Sequence, residues 1–126
     1  MLKNSKNYWI YWCDLVKNFK LVFDDVIIRQ LQKLGEDSSL HAKLGAMLDK
    51  MEELGPRAGK LIDSHLFLYE VKSKHPPLRL YYKHVKETDE LYVFEYEMKT
   101  SEEKQKKTIG KLKQKVHVFR NRDRRA

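Results

Sequence analysis

The side chains best suited to chemistry cluster in the second half of the 126-residue chain, and most are cationic or phenolic. Arg79 sits inside the apolar run Leu78-Arg79-Leu80-Tyr81-Tyr82. A guanidinium there stays ionised without tuning and can grip a phosphate through two nitrogens. Lys72, Lys74 and Lys99 are candidates for stabilising charge on such a phosphate. Tyr81, Tyr82, Tyr92 and Tyr96 are of the type that stacks on a splayed base or supplies a proton, and His84, at the end of the Arg79 run, can act as acid or base near neutral pH. Arg57 and Lys60, with Lys104, Lys107 and Lys111 near the C-terminus, extend the basic surface. Each has a plainer reading. Arg79 can form a structural salt bridge to Glu70 on an adjacent strand, since buried charges are normally paired. A lysine is usually a solvated face, and alternation places Tyr92, Phe94 and Tyr96 together on one packed face.

Other chemistries find no support. The five histidines, His41, His65, His75, His84 and His117, and the single Cys13 show no zinc-ligand spacing, so neither a metal nor another cofactor is expected. Gly55-Pro56-Arg57-Ala58-Gly59-Lys60 lacks the spacing of a phosphate-binding loop and follows a helix instead of a strand, which argues against nucleotide hydrolysis.

The elements that must position these residues follow from periodicity. Phe19-Lys20-Leu21-Val22-Phe23 alternates as a strand, and Asp24 or Asp25 caps a helix that carries Ile27, Ile28, Leu31 and Leu34 to Gly35. Asp37-Ser38-Ser39 caps a second helix, bearing Leu40, Leu44, Met47, Leu48, Met51 and Leu54, which ends at Gly55-Pro56. Strands are predicted from His65 to Val71, from Leu78 to Tyr82 and from Leu91 to Met98, joined by short links as an antiparallel meander. By parity Glu70 and Lys72 share a face, as do Arg79 and Tyr81. Thr100 with Glu103 forms a capping box for a last helix with an apolar stripe of Ile109, Leu112, Val116 and Phe119 among lysines. The expected class is α+β: a small, mainly antiparallel sheet with a helical hairpin and a basic C-terminal helix packed on one face. Residues 1–18, with the aromatic run Tyr8 to Trp12, form an extension, residues 19–119 the domain, and residues 120–126 a frayed basic tail.

Charge distribution singles out the same end of the chain. Of the net charge of +8, residues 1–98 contribute nothing, with 15 Lys and Arg against 15 Asp and Glu, while residues 99–126 hold 11 against 3. A polyanion such as nucleic acid or a ribosome is therefore drawn first to the C-terminal segment. No apolar stretch approaches the roughly 20 residues that cross a bilayer, the first residues lack the apolar run and small-residue cleavage site of a secretory signal, so none is expected, and one cysteine makes no internal disulfide. A cytoplasmic protein without a membrane partner is expected.

Four stretches in order, Gly55-Pro56 with Lys60-Leu61, Leu68-Tyr69-Glu70-Val71-Lys72, Leu78-Arg79-Leu80-Tyr81-Tyr82 and Tyr96-Glu97-Met98-Lys99-Thr100, resemble the RelE/ParE toxin superfamily, in particular its HigB-like, phage-derived branch. The resemblance covers roughly Phe19 to Val118 and implies a sheet wrapped by helices, a toxin neutralised by a cognate antitoxin in a hetero-oligomer, and cleavage of mRNA on the ribosome. On that reading Arg79, Lys72 and Lys99 stabilise the scissile phosphate, and Tyr82, matching the tyrosine that closes the Arg79 motif, or His84 assists proton transfer. Lys72 stands where the motif has arginine, Leu78 where it has tyrosine, and Met98 at the first of two paired lysines; a proline usual after the threonine is missing. These departures motivate the alternative of a non-cleaving binding protein, either a ParE-like inhibitor of DNA gyrase or a degenerate toxin.

Overall fold

The computed structural model describes residues 19–35 and 38–125, with side chains through Val116, so the aromatic run Tyr8–Trp12 and the side chains of His117 and Phe119 lie outside the described residues. Strand β1, Lys20–Phe23, leads into helix α1, Asp25–Leu34, whose first turn is capped by Asp24 accepting from the Val26 amide at 3.1 Å. Helix α2, Ser39–Leu54, begins at Ser38, whose Oγ accepts from the amides of Leu40 and His41. It ends at Gly55, at φ 61°, where Pro56 turns the chain through a short 3-10 helix, Gly55–Ala58. Then follow β2 (Lys60–Asp63), β3 (Leu68–Lys74), β4 (Pro77–Val85), β5 (Glu90–Met98) and helix α3 (Glu102–Arg125). The five strands form one sheet in the order β1-β5-β4-β3-β2, antiparallel except for the parallel β1–β5 pair. No helix among the described residues is long and apolar enough to cross a membrane.

Several expectations are corrected. The sheet has a fifth strand, β2, a four-residue edge too short and too exposed to register as an alternating pattern. The following strand starts at Leu68 instead of His65, because the Asp63 carboxylate accepts from the amides of His65 and Leu66 and Phe67 adopts φ 54°. The last helix is capped by Ser101, whose Oγ accepts from the Lys104 amide at 3.2 Å, and not by Thr100; Glu103 then falls one residue short of the capping-box position. Its backbone is helical from Glu102 to Arg125.

The helices also occupy both faces. Leu78, Leu80 and Tyr82 of β4 and Val71 of β3 pack against Ile27, Leu44, Met47 and Met51 of α1 and α2, whereas Leu68, Tyr81 and Phe94 pack against Leu112 and Val116 of α3. Strict alternation breaks once, where Tyr81 pairs with Glu95 but Tyr82 pairs with Val93, leaving Phe94 as an extra residue. Tyr92 and Phe94 consequently face α3, and Tyr96 faces the hairpin instead of joining them. The same slip turns Glu95 and Glu97 toward α3.

Polar tethers hold α3 across the sheet. Lys115 reaches Asp24 at 2.6 Å beside β1, and Lys113 reaches Asp63 at 3.3 Å beside β2, so one helical turn is fastened at opposite edges. Burial opposes ionisation of Asp24, yet hydrogen bonds from Lys115, the Val26 amide and the Tyr92 hydroxyl outweigh it and hold the carboxyl below its ordinary 3.8. Asp63 is lowered in the same sense, burial being outweighed by the Leu66 amide and Lys113.

Three predictions follow from this packing. Both carboxyls bind protons more weakly folded than unfolded, so their stabilisation is complete above the unfolded value of 3.8 and disappears as pH falls through the folded values. Urea unfolding at descending pH should show that loss, and Asp24→Asn should make it shallower. Gly110, inside α3 with open space where a Cβ would stand, should gain about 1 kcal/mol on substitution by alanine, seen as a rise in Tm. Gly59→Ala should lower Tm, because its Cβ would meet the Glu70 carbonyl oxygen.

Candidate active site

Strand register assembles the site. Lys72 of β3 lies opposite Arg79 of β4, which lies opposite Glu97 of β5; one step along, Glu70, Tyr81 and Glu95 form a second row. Residues opposite each other point to the same face, so all six side chains stand under α3. Arg79 Nη1 donates to both oxygens of Glu70, at 3.0 and 3.3 Å. Lys72 Nζ stands 3.9 Å from the same carboxylate, and Gln105 of α3 donates to it at 3.4 Å. The salt bridge named as the plainer reading of Arg79 is therefore present.

It does not seal the guanidinium. Glu70 has a side chain only 5% exposed, whereas that of Arg79 is 20% exposed and forms a wall of an open cleft of about 220 Å³. Glu70 engages one terminal nitrogen; Nε and Nη2 make no hydrogen bond among the described residues and remain available to an anion. Glu97, Lys99, Glu102, Lys104 and Gln105 complete the charged and polar lining, with the Thr100–Ser101 turn at the N-terminus of α3. Three cations face two carboxylates, and the helix terminus adds its own positive field. The Lys99 amide donates to the Pro77 carbonyl at 3.0 Å, fixing the backbone of the rim.

Beneath the cleft, Glu97 accepts from two hydroxyls, that of Tyr81 and that of Thr108, the latter at 2.7 Å. Burial first, and the Glu97 hydrogen bond second, push the Tyr81 phenol well above its ordinary 10, so it remains a proton donor to the carboxylate.

The other residues singled out in the sequence are distributed unevenly. Tyr82 is not in the cleft: it is fully buried on the opposite face, stacks on Tyr69 at 5.4 Å, and donates to the carbonyls of Gly55 and Pro56. Burial raises its phenol, and its role there is to lock the α2 terminus to the sheet. His84 lies at the far end of β4, with Nε2 2.8 Å from Asp89 and its ring edge-on to Phe19. Five residues of extended chain, about 16 Å, separate it from Arg79. Lys111 is bound to Glu95 at 3.0 Å. Lys60, opposite Glu70 in register, and Lys74, at the end of β3, are exposed on the Arg79 face by parity, Arg57 is exposed on the 3-10 helix, and Lys107 is exposed on α3. Glu97, Gln105 and Thr108 escaped the sequence reading. The available signal was two carboxylates, Glu95 and Glu97, within an otherwise apolar strand.

No protein-family profile and no curated protein sequence matches the chain. Solved structures do. The isolated E. coli RelE toxin superposes with a TM-score of 0.56 at 24% identity, covering 75% of this chain and 98% of that one. A chain of the intact E. coli RelBE toxin–antitoxin complex gives 0.54 at 24%, covering 66% and 99%. A free E. coli RelE mutant with two arginines replaced by alanine gives 0.55 at 25%, covering 68% and 88%. The fold is that of RelE. On this RelE-like frame the sheet presents Arg79 beside the start of α3, where the chain's cationic excess begins.

Arg79→Ala should destabilise the protein by about 3 kcal/mol, because it leaves Glu70 buried without its main partner. In urea denaturation, the double variant Arg79→Met, Glu70→Gln should recover part of that loss.

Proposed function

We propose that the protein is the toxin of a type II toxin–antitoxin pair, acting in the cytoplasm as a ribosome-dependent mRNA endonuclease and held in check by a cognate antitoxin in a hetero-oligomer. The observation that carries this reading is Arg79, buried at its base, with free guanidinium donors in an open cleft rimmed by Lys99 and Lys104. The likeness to RelE toxins, one of them solved with its antitoxin, supports it, and the motif order favours the HigB-like branch. RNA cleavage without a metal needs cations on the phosphate as charge develops there, a base for the 2′-hydroxyl and a proton for the departing 5′-oxygen. Arg79, Lys99 and Lys104 are placed for the first task, with Lys72 and Lys74 extending the same strand face. Arg57, Lys60 and Lys107 lie farther out as contacts for RNA phosphates.

The second reading, a binding protein that does not cleave, draws on a specific observation: Tyr82 and His84, the proton-transfer candidates that the resemblance singles out, stand away from the cleft. Gyrase inhibition is its concrete form.

Induced expression should arrest growth, with primer extension revealing cut mRNA. Arrest with intact transcripts and accumulated DNA–gyrase complexes would instead establish the second reading. The double reversal Lys99→Glu, Lys104→Glu should weaken RNA binding and reduce the slope of log affinity against log salt by about 0.7 per lost phosphate contact on single strands. An unchanged slope would remove the cleft as the RNA site.

A further inference from the structure

Four carboxylates are buried among the described residues, and three of them are neutralised by a cation. Asp24 has Lys115 at 2.6 Å, Glu70 has Arg79 at 3.0 Å, and Glu95 has Lys111 at 3.0 Å. Glu97 is the exception. It is 8% exposed and makes no ion pair among the described residues; only the hydroxyls of Tyr81 and Thr108 satisfy it. A buried carboxylate without a direct ion pair is costly to keep for structure alone, and such groups concentrate where chemistry is done. Glu97 also lines the Arg79 cleft and stands directly opposite Arg79 on the neighbouring strand. The other acids are poorly suited to accept a proton there, since Glu70 is engaged by Arg79, Lys72 and Gln105, and Glu102 is exposed on the rim.

We propose that Glu97 is the general base of the RNA cleavage described above, an assignment that rests on that reading. Its carboxylate takes the proton of the 2′-hydroxyl, and the 2′-oxygen bonds to phosphorus. The bond from phosphorus to the 5′-oxygen breaks, and that oxygen leaves with a proton from solvent water. The products are a 2′,3′-cyclic phosphate and a 5′-hydroxyl, and Glu97 returns its proton to solvent. Each of its oxygens accepts one hydroxyl, which fixes the plane of the carboxylate and leaves one lone pair on each oxygen for the substrate. Among the described residues, the titratable and charged groups on its side of the sheet are Arg79 and Tyr81 of β4, Lys72 and Glu70 beyond them on β3, Glu95 and Lys99 of its own segment, and Glu102, Lys104 and Lys111 of α3.

The test is cleavage of mRNA on programmed ribosomes across a pH series by the full chain and two variants, with Tm measured for each. Glu97→Gln, which keeps the shape of the side chain, should fold with a Tm near that of the unsubstituted chain and bind RNA as tightly. Its cleavage should be 10²–10⁴-fold slower, and the acidic limb of the pH–rate profile should vanish. Tyr81→Phe removes one of the two hydrogen bonds that hold the carboxylate, so it should slow cleavage by less than Glu97→Gln does and keep an acidic limb. Cleavage by Glu97→Gln within about threefold of the unsubstituted chain, or an acidic limb that Glu97→Gln retains, would overturn the assignment while leaving the toxin reading intact. Ribosome-bound mRNA left whole by the unsubstituted chain would overturn both.

Discussion

One carboxylate, Glu70, is sealed under helix α3 and must be satisfied, and the ways it is satisfied organise the candidate site. Arg79 supplies the charge, Lys72 adds a second cation nearby, and Gln105 reaches down from the helix. A guanidinium held through one nitrogen loses its freedom to swing while keeping the rest of its donor edge exposed. The pair thus does two things: it compensates a charge that is almost wholly buried, and it aims the remaining donors into the cleft. The cost of breaking it, several kcal/mol for a lone buried charge, ties the integrity of the site to the stability of the domain.

The same requirement recurs along α3. Thr108 answers Glu97, Lys111 answers Glu95, Lys113 answers Asp63 and Lys115 answers Asp24. Leu112 and Val116 supply the apolar contact between these polar tethers. A helix that looks uniformly basic in sequence is therefore divided by function. Lysines directed to the sheet are spent on carboxylates, and those near the first turn are left to the cleft and solvent. The effective cationic surface is smaller than the net charge suggests, and it concentrates where α3 begins.

Much of the fold was legible in the residues. The N-caps at Asp24 and Ser38, the stop at Gly55-Pro56 and the three longer strands lie close to where local chemistry places them, because capping and alternation act over a few residues. The resemblance to RelE-like toxins, drawn from four short stretches, anticipated the architecture that the solved structures share. Less legible were features that depend on a partner strand. The edge strand β2 has too few residues for a period, the Asp63 turn shortens β3, and the extra residue at Phe94 reverses which tyrosines share a face.

The sequence by itself determined the element order, the balanced body and basic end, and the presence of Arg79 within an apolar strand, since each is a property of neighbouring residues. Tertiary structure alone decided the meaning of those residues. It sent Tyr82 and His84 away from the cleft, bound Lys111 to a carboxylate, and brought Glu97 next to Arg79. The physical reason is that a side chain's surroundings are fixed by strand register and by the bulge that shifts it. Both arise from contacts between segments far apart along the chain, which local spacing does not encode.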